Sequence, residues 1–354
     1  MGLRGRHPVA RAAAAATDRG AGAATAGGTA AKGAVPREGT RRRRGRLRRT
    51  GLTALLAAAV VIPLSAGVRP PIPAPPPARL APLSVATIAA IYDANRADAA
   101  TASRMADGHG DRHRAAVERA MASPDRHLLA FDGRGTGRVA EVFGDLATAE
   151  HIAVLVPGSD TTLDSYGRLG AGAGALYRAA GPHTAVIAWL GYDTPRMISP
   201  SALTTTRAEE AAPLLRRFVR QLRGARGERP GISLLCHSYG TVVCAKAAGA
   251  ADVQDVVLLG SPGTGVDRAA GLRTRARVWA GRGAGDWIAH VPHVSADLFG
   301  TTTGFGADPV SPGYGARVFA AGGGGHSDYF RPGSLCLRNL ARITQGRAPE
   351  APRA

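Results

Sequence analysis

Cysteine is rare in this sequence: its 354 residues include only three, Cys236, Cys244 and Cys336. An odd count cannot form a framework in which every cysteine is paired, and the spacing matches no zinc-finger pattern. Cys236 and Cys244 fall in a segment for which we expect burial. The sequence therefore favours free thiols over a disulfide framework, even for an exported chain.

Acidic and aromatic residues are also few. The chain has 26 Asp and Glu against 45 Lys and Arg, and aromatic residues make up 5%. Residues 1–50 alone hold 13 Lys and Arg and two Asp and Glu, so +11 of the formal charge of +19 lies there. The globular part is only mildly basic and has no RNA-binding aromatic pattern and no zinc-finger spacing, so it is not expected to bind nucleic acid. The alternative, that the basic tail binds nucleic acid or anionic lipid, predicts that residues 1–49 alone carry the activity.

Long apolar runs are absent except for one near the N-terminus. Residues 1–49 are predicted to be a disordered basic tail, and residues 50–68 form an uncharged, mostly apolar run. As a helix this run would reach roughly 28 Å, enough to span a bilayer once. A signal peptide and a membrane anchor are both open, and either predicts an exported protein, extracellular or anchored at the outer face of the cytoplasmic membrane. Because the basic segment is long for an export signal, one hypothesis is that translation begins near Val35.

A proline-rich linker is predicted at residues 69–83, followed by a helical extension at residues 84–126. His109 and His113 in this extension lie four residues apart, a spacing that suits a metal ion on a helix. No acidic or cysteine partner keeps that spacing nearby, so we expect no metal site.

Residues 127–354 alternate short buried strands with helices, which predicts a doubly wound, mostly parallel sheet covered on both faces, an α/β fold. A hairpin is expected at 127–131 and 138–143. The remaining predicted strands are 150–156, 184–190, 232–235, 255–259, 277–280 and 318–321, and the predicted helices are 163–180, 208–222, 241–251 and 334–344.

Ser238 lies between the strand at 232–235 and the helix at 241–251, in the sequence Cys-His-Ser-Tyr-Gly. Strand, tight turn and helix with a serine at the apex is the layout of a nucleophile elbow, which exposes the hydroxyl to a base. Small residues are needed two positions before and after the serine. Gly240 fills the second position, and Cys236 replaces the usual glycine at the first. Taken alone, Ser238 could equally be a helix N-cap.

Polar residues at the carboxyl ends of the predicted strands complete a candidate catalytic site. Asp286 and His326 follow Ser238 in the order that this architecture uses for the acid and the base. The backbone N–H of Tyr239 and those of Gly158 and Ser159 are the expected donors to an oxyanion. 

Other polar residues near these positions leave alternatives open. Asp267, which follows the preceding strand, is the rival to Asp286 as the acid. His237 cannot easily act as the base for the serine beside it, and we interpret it as a packing or hydrogen-bonding residue. His290 and His293 are interpreted as surface histidines, with the alternative that one of them lines a pocket.

Taken together, these motifs resemble the α/β-hydrolase superfamily, and within it a little-characterised exported branch from high-GC bacteria. The matching segments are Val156-Pro-Gly-Ser159, the five residues 236–240, Gly285-Asp-Trp-Ile288 and Gly325-His-Ser-Asp-Tyr329, within about residues 127–347. The resemblance implies an eight-stranded sheet and an esterase, lipase or related acyl hydrolase acting on a small-molecule or lipid-like ester.

Two longer loops are expected to control access to the site, at residues 191–206 and 287–316. Neither carries a nucleotide or metal signature, so no cofactor is expected. The competing hypothesis is a catalytically inactive, membrane-tethered scaffold that has kept the hydrolase fold. A complete Ser, Asp and His set argues against it.

Overall fold

The computed structural model describes residues 71–225, 230–291, 293, 295–298 and 301–352. The chain divides into two units, residues 1–69 and 70–354, and the described residues all belong to the second unit. The predicted basic tail, the signal or anchor segment at 50–68 and the first two residues of the linker lie outside the described ranges. Within those ranges, none of the helices has the length and hydropathy needed to cross a membrane.

An eight-stranded sheet forms the centre of the second unit, in the order β1-β2-β4-β3-β5-β6-β7-β10. All neighbouring strands are parallel except those that pair with β2, which runs against both β1 and β4. The strands are β1 His127–Asp132, β2 Arg138–Phe143, β3 His151–Val156, β4 Thr184–Leu190, β5 Gly231–His237, β6 Asp255–Leu259, β7 Arg277–Gly281 and β10 Arg317–Val318. Two further strands, β8 Ser295–Leu298 and β9 Thr301–Gly304, form a separate antiparallel hairpin.

Six α-helices accompany the sheet in the described part of the chain. They are α1 Ile88–Gly108, α2 Arg112–Met121, α3 Gly167–Ala180, α4 Thr206–Gly224, α5 Gly240–Ala248 and α6 Leu335–Thr344. Helices α4 and α5 contribute to a core on one face of the sheet, whereas α3 and α6 contribute to a core on the other face. The predicted fold class, a doubly wound and mostly parallel sheet with an N-terminal helical extension, is therefore confirmed.

Strand β5 shows why both faces must be covered. Ile232, Leu234 and Cys236 point into the core under α4 and α5, and Leu235 points into the opposite core. Successive side chains of a strand alternate between faces, so a strand that is apolar on both sides has no solvated face.

Two predictions about the later strands were inaccurate. The segment 295–304 was predicted as part of a loop, and it contains the β8–β9 hairpin. Its strands are four residues each, too short for an alternating pattern to stand out. The last strand was predicted at 318–321 and is only Arg317–Val318.

A buried arginine, Arg114, connects the helical extension to the segment that follows β3. Arg114 of α2 is 1% exposed, and its Nε donates to Asp164 Oδ1 over 2.6 Å. Its Nη1 also donates to the carbonyl of Gly133 in the β1–β2 turn. Asp164 lies in the short 3₁₀ turn Leu163–Ser165 that precedes α3. This contact connects the extension with the segment that follows β3.

Glu118, one turn after Arg114, is fully buried, and neither of its carboxylate oxygens has a hydrogen-bond partner among the described residues. Burial raises the pKa of Glu118 to about 7, although Arg114, with Nη1 3.8 Å from Oε1, favours the charged form. The neutral carboxyl is therefore the stable form in the folded protein up to near neutral pH.

We predict that Glu118 makes folding stability fall as the pH rises. Its folded pKa lies above the model-peptide value of 4.5, so its contribution is complete at acid pH and is lost as the pH rises through about 7. Glu118→Gln stays neutral, so the Tm of wild type should fall relative to that of the variant between about pH 5 and pH 8. Glu210→Gln, at an exposed site, is the control. Parallel Tm curves for wild type and Glu118→Gln would contradict the prediction.

Candidate active site

The turn between β5 and α5 holds Ser238 in an unusual backbone conformation. Its φ is 54°, in the left-handed region that residues other than glycine rarely adopt. Its N–H donates to the carbonyl of Leu259 at the end of β6. At Gly240, a Cβ would lie 2.5 Å from the carbonyl oxygen of Val156, so a glycine is required there. Strain of this kind persists only where the surroundings impose it, as expected at the apex of an elbow.

A disulfide between Cys236 and Cys244 joins β5 to α5 directly behind this turn. The expectation of free thiols is therefore wrong for these two residues, and only Cys336 is free and buried. The sharp strand-to-helix turn brings residues eight apart in sequence to a Cα–Cα distance of 6.4 Å, within the range for a disulfide. The composition could not reveal this proximity, which depends on the geometry of the turn.

His326 lies between Ser238 and Asp286. Its Nε2 is 3.0 Å from Ser238 Oγ, and its Nδ1 is 2.9 Å and 3.0 Å from the two carboxylate oxygens of Asp286. An ionised carboxylate can only accept, so Nδ1 carries the proton and Nε2 is free to accept from the serine hydroxyl. The structure thus brings together the serine, histidine and aspartate that the sequence singled out.

Asp286 is buried, and its carboxylate accepts four hydrogen-bond contacts from three donors. Besides His326, it accepts from the Tyr329 hydroxyl and from the N–H of Ile288. Burial alone would raise the pKa of Asp286, but the hydrogen bonds from His326, Tyr329 and Ile288 outweigh it and lower the pKa. Burial and the carboxylate in turn raise the pKa of Tyr329 well above its usual range, so its hydroxyl remains a donor.

Asp267, the rival acid, lies elsewhere. It is exposed in the segment after β6, and its carboxylate packs beside Gly306 rather than the imidazole of His326. The structure therefore favours Asp286 as the partner of His326.

Of the predicted oxyanion donors, Gly158 lies against Ser238 and Tyr239 follows Ser238 directly in the chain. A Cβ on Gly158 would lie 2.6 Å from Ser238 Cβ and 3.1 Å from Ser238 Oγ, so the loop after β3 contacts the hydroxyl-bearing side chain. Ser159 follows, partly exposed, and Tyr239 is buried at the start of α5. The N-terminus of α5 also directs its positive end toward this region.

The loop at residues 191–206 forms hydrogen bonds with the segment after β3 and with the elbow. On the β3 side, the Tyr192 hydroxyl donates to Pro157 O and the N–H of Asp160 donates to Pro195 O. On the elbow side, the Tyr239 hydroxyl donates to Thr204 O. Asp160 has a φ of 58°, so the segment after the oxyanion loop is constrained as well.

Apolar side chains are exposed on this loop and beside His326. Ile198 is 100% exposed, Leu203 is 56% exposed and Met197 is 48% exposed. Trp287, 45% exposed, lies against His326 with ring centroids 4.6 Å apart. We call these four residues, Met197, Ile198, Leu203 and Trp287, the exposed apolar set.

Sequence reasoning missed the role of Tyr329, and it interpreted His237 as a packing or hydrogen-bonding residue without identifying its partner. Tyr329 appeared only as the end of a motif, but it donates to Asp286. The Nε2–H of His237 donates to the backbone carbonyl of His326 over 2.7 Å, and burial, with a smaller contribution from nearby His326, lowers the pKa of His237 to about 4. Both contacts depend on the loop after β10 folding back over the elbow, which no sequence spacing predicts.

In the described part of the chain, no group of three His, Cys, Asp or Glu side chains is placed to hold a metal ion. His113, considered above for its spacing, instead contacts the carbonyl of Asp164 through Nε2.

A cavity of about 640 Å³ lies away from Ser238, between α2, β2 and α3. Polar residues that line this cavity form hydrogen bonds with one another: Arg126 and the Tyr166 hydroxyl both donate to the buried carboxylate of Glu141. The chemistry of Ser238 and His326 is therefore not located in this cavity.

The sheet topology and the geometry of the site are those of the α/β-hydrolase fold. Residues 132–296 match a family described as "Alpha/beta hydrolase". An uncharacterized protein of Mycobacterium tuberculosis is 32% identical over 62% of this chain, and the chain spans only 39% of that relative's length. An uncharacterized protein of Mycobacterium bovis is 34% identical over 45% of this chain and 66% of its own length.

Solved structures show a more distant likeness. A serine hydrolase "without lid" from Xanthomonas campestris is 16% identical, with a TM-score of 0.40 over 65% of this chain and 98% of its own. A carboxylesterase from Mesorhizobium loti is also 16% identical, with a TM-score of 0.38 over 59% of this chain and 95% of its own.

We predict that Gly260 is essential to the geometry around Asp286. Its φ is 51°, and a Cβ there would lie 2.7 Å from Asp286 Oδ2 and 3.1 Å from His326 Nδ1. Gly260→Ala should displace these groups and lower hydrolytic turnover by about 100-fold or more. Gly315→Ala is the matched control, with a left-handed backbone (φ 82°, ψ 18°) and nothing within 4 Å of its Cβ. It should show a similar backbone cost, about 1 kcal/mol, with normal turnover. Full turnover by Gly260→Ala would contradict the prediction.

Proposed function

We propose that the protein is a serine hydrolase that cleaves a carboxylic ester through Ser238, His326 and Asp286. The observation that carries the proposal is the continuous chain of contacts from Ser238 Oγ to His326 Nε2, at 3.0 Å, and from His326 Nδ1 to Asp286, at 2.9 Å. A serine at an ordinary helix N-cap would need neither a base within reach nor a buried acid behind that base.

In the proposed reaction, His326 Nε2 takes the proton of Ser238 as Oγ attacks the ester carbonyl. The carbonyl oxygen becomes an oxyanion, stabilised by the backbone N–H groups of Tyr239 and of Gly158 or Ser159. His326 then gives the proton to the leaving alcohol, which leaves an acyl group on Ser238. A water molecule, activated by the same histidine, attacks the acyl carbonyl, and the acid is released with the serine regenerated.

Asp286 supports both proton transfers without itself changing its protonation state. Its lowered pKa keeps it ionised, so it holds Nδ1 protonated and stabilises the imidazolium that forms in each step.

The substrate that best fits this surface is a small or lipid-like ester with an apolar part. In this exposed apolar set, Trp287 lies against His326, and Met197, Ile198 and Leu203 belong to the loop that forms hydrogen bonds with Pro157 and Tyr239. Burying apolar acyl surface against such side chains is favourable, at about 25 cal/mol per Å².

The disulfide supports the proposal that the hydrolase acts outside the cytoplasm. Disulfides persist in oxidising compartments and are rare where thiols are kept reduced. The buried Cys236–Cys244 bridge therefore agrees with export, either as a secreted form or as one anchored at the outer face of the cytoplasmic membrane.

The proposal is tested with a panel of nitrophenyl esters from acetate to palmitate, applied to wild type and to Ser238→Ala. We expect wild type to hydrolyse at least one ester and Ser238→Ala to lose turnover by about 10⁶-fold while remaining folded. Wild type that hydrolyses none of the esters would favour the inactive scaffold, and full turnover by Ser238→Ala would refute the mechanism.

We predict that Asp286, and not Asp267, supports His326 in this reaction. Asp286→Asn would present a donor to Nδ1 and select the wrong tautomer, which should lower turnover by about 10⁴-fold with KM little changed. Asp267→Asn, a change of the same size at an exposed site, should leave turnover near that of wild type. Both variants are measured on the ester that wild type prefers. If Asp267→Asn lowers turnover and Asp286→Asn does not, the acid is misassigned.

A further inference from the structure

We propose that His237 is a positioning residue that keeps the loop bearing His326 within reach of Ser238; this proposal rests on the proposed function. His237 Nε2 is 2.7 Å from the backbone carbonyl of His326. The two imidazole rings lie 4.7 Å apart, and the Tyr329 ring lies 5.4 Å from that of His237. His237 is thus in contact with the base and with the tyrosine that holds the acid.

The loop requires such a contact because of its composition. Four glycines, residues 322–325, come directly before His326, and glycine loses more backbone freedom on ordering than any other residue. Three hydrogen bonds fix the glycine run itself. The N–H of Ala284 donates to Gly322 O, the N–H of Gly325 donates to the Asp328 carboxylate, and the N–H of Asp328 donates to Gly325 O. The hydrogen bond from His237 is made to the backbone carbonyl of His326, the residue that follows the glycine run.

The position of His237 in the elbow makes this bond effective. His237 is the last residue of β5 and comes directly before Ser238, so its backbone moves with that of the nucleophile. Its side chain reaches the backbone of the base. The hydrogen bond therefore links the two main-chain segments whose side chains must meet at 3.0 Å for proton transfer.

The protonation state of His237 suits this role. A carbonyl oxygen only accepts, so Nε2 must carry a proton. Burial opposes a positive charge on His237, as do the neighbouring His326 and Arg168, whereas Asp286 and the His326 carbonyl favour one. A neutral imidazole donates this bond without placing a second positive charge beside His326 when that residue becomes an imidazolium.

Three substitutions separate positioning from packing. His237→Phe keeps an aromatic ring but has no donor, His237→Asn has a donor on a shorter side chain, and His237→Gln has a donor on a longer one. We expect the Phe and Asn variants to lower kcat about tenfold, with KM within about twofold of wild type, which corresponds to about 1.4 kcal/mol. His237→Gln should recover most of kcat.

The test measures kcat and KM of each variant on the preferred ester, with Tm recorded to confirm folding. His183→Gln, at an exposed histidine, is the control and should match wild type. If the Phe and Asn variants have the kcat of wild type, the proposal is overturned. It is also overturned if a folded Gln variant has a kcat no higher than that of the Phe variant. If the Phe variant does not fold, the comparison of Gln with Asn decides.

The outcomes distinguish this proposal from the proposed function. Wild type that hydrolyses no ester contradicts the proposed function itself. If the wild-type activity requires Ser238 but all the His237 variants are fully active, only the positioning role of His237 is contradicted.

Discussion

The left-handed backbone of Ser238 is the constraint on which the rest of the site depends. It turns the chain from β5 into α5 within two residues and places the half-buried serine beyond the carboxyl end of the strand. The surroundings hold it there: Gly240 allows the β3 end to approach, Leu259 O accepts the serine N–H, and the Cys236–Cys244 disulfide joins strand to helix behind it. A strained residue needs this support, because an isolated turn would relax to an allowed conformation.

The site is otherwise assembled from the carboxyl ends of neighbouring strands. The loop after β3 supplies Gly158, the turn after β7 supplies Asp286, and the loop after β10 brings His326 across to the serine. Gly260, after β6, leaves the space in which Asp286, Tyr329 and His326 meet. Parallel strands place all these loops at one edge, so residues far apart in sequence come into contact without any long-range motif.

This arrangement explains how much could be predicted. Strand ends and chain order point to Ser238, Asp286 and His326, because the elbow pattern is local and parallel strands share an edge. The disulfide, the β8–β9 hairpin and the bond from His237 to the His326 backbone could not be predicted. The disulfide and the histidine bond depend on where side chains point after a tight turn or a glycine-rich loop, and the hairpin strands are too short to show a period. Strand and helix bounds were accurate where apolar runs were long, as in β4, and poorest for the brief β10.

The central claim is that Ser238 is an activated nucleophile, and labelling by a fluorophosphonate probe tests it most directly. Such a probe reacts with a serine hydroxyl only when a base removes its proton, so it reports the Ser238–His326 contact without any knowledge of the substrate. We predict one covalent adduct, mapped by mass spectrometry of the digested protein to the peptide containing Ser238, and its loss in His326→Ala. An adduct on another residue, or no adduct while a known serine hydrolase in the same tube is labelled, would contradict the account.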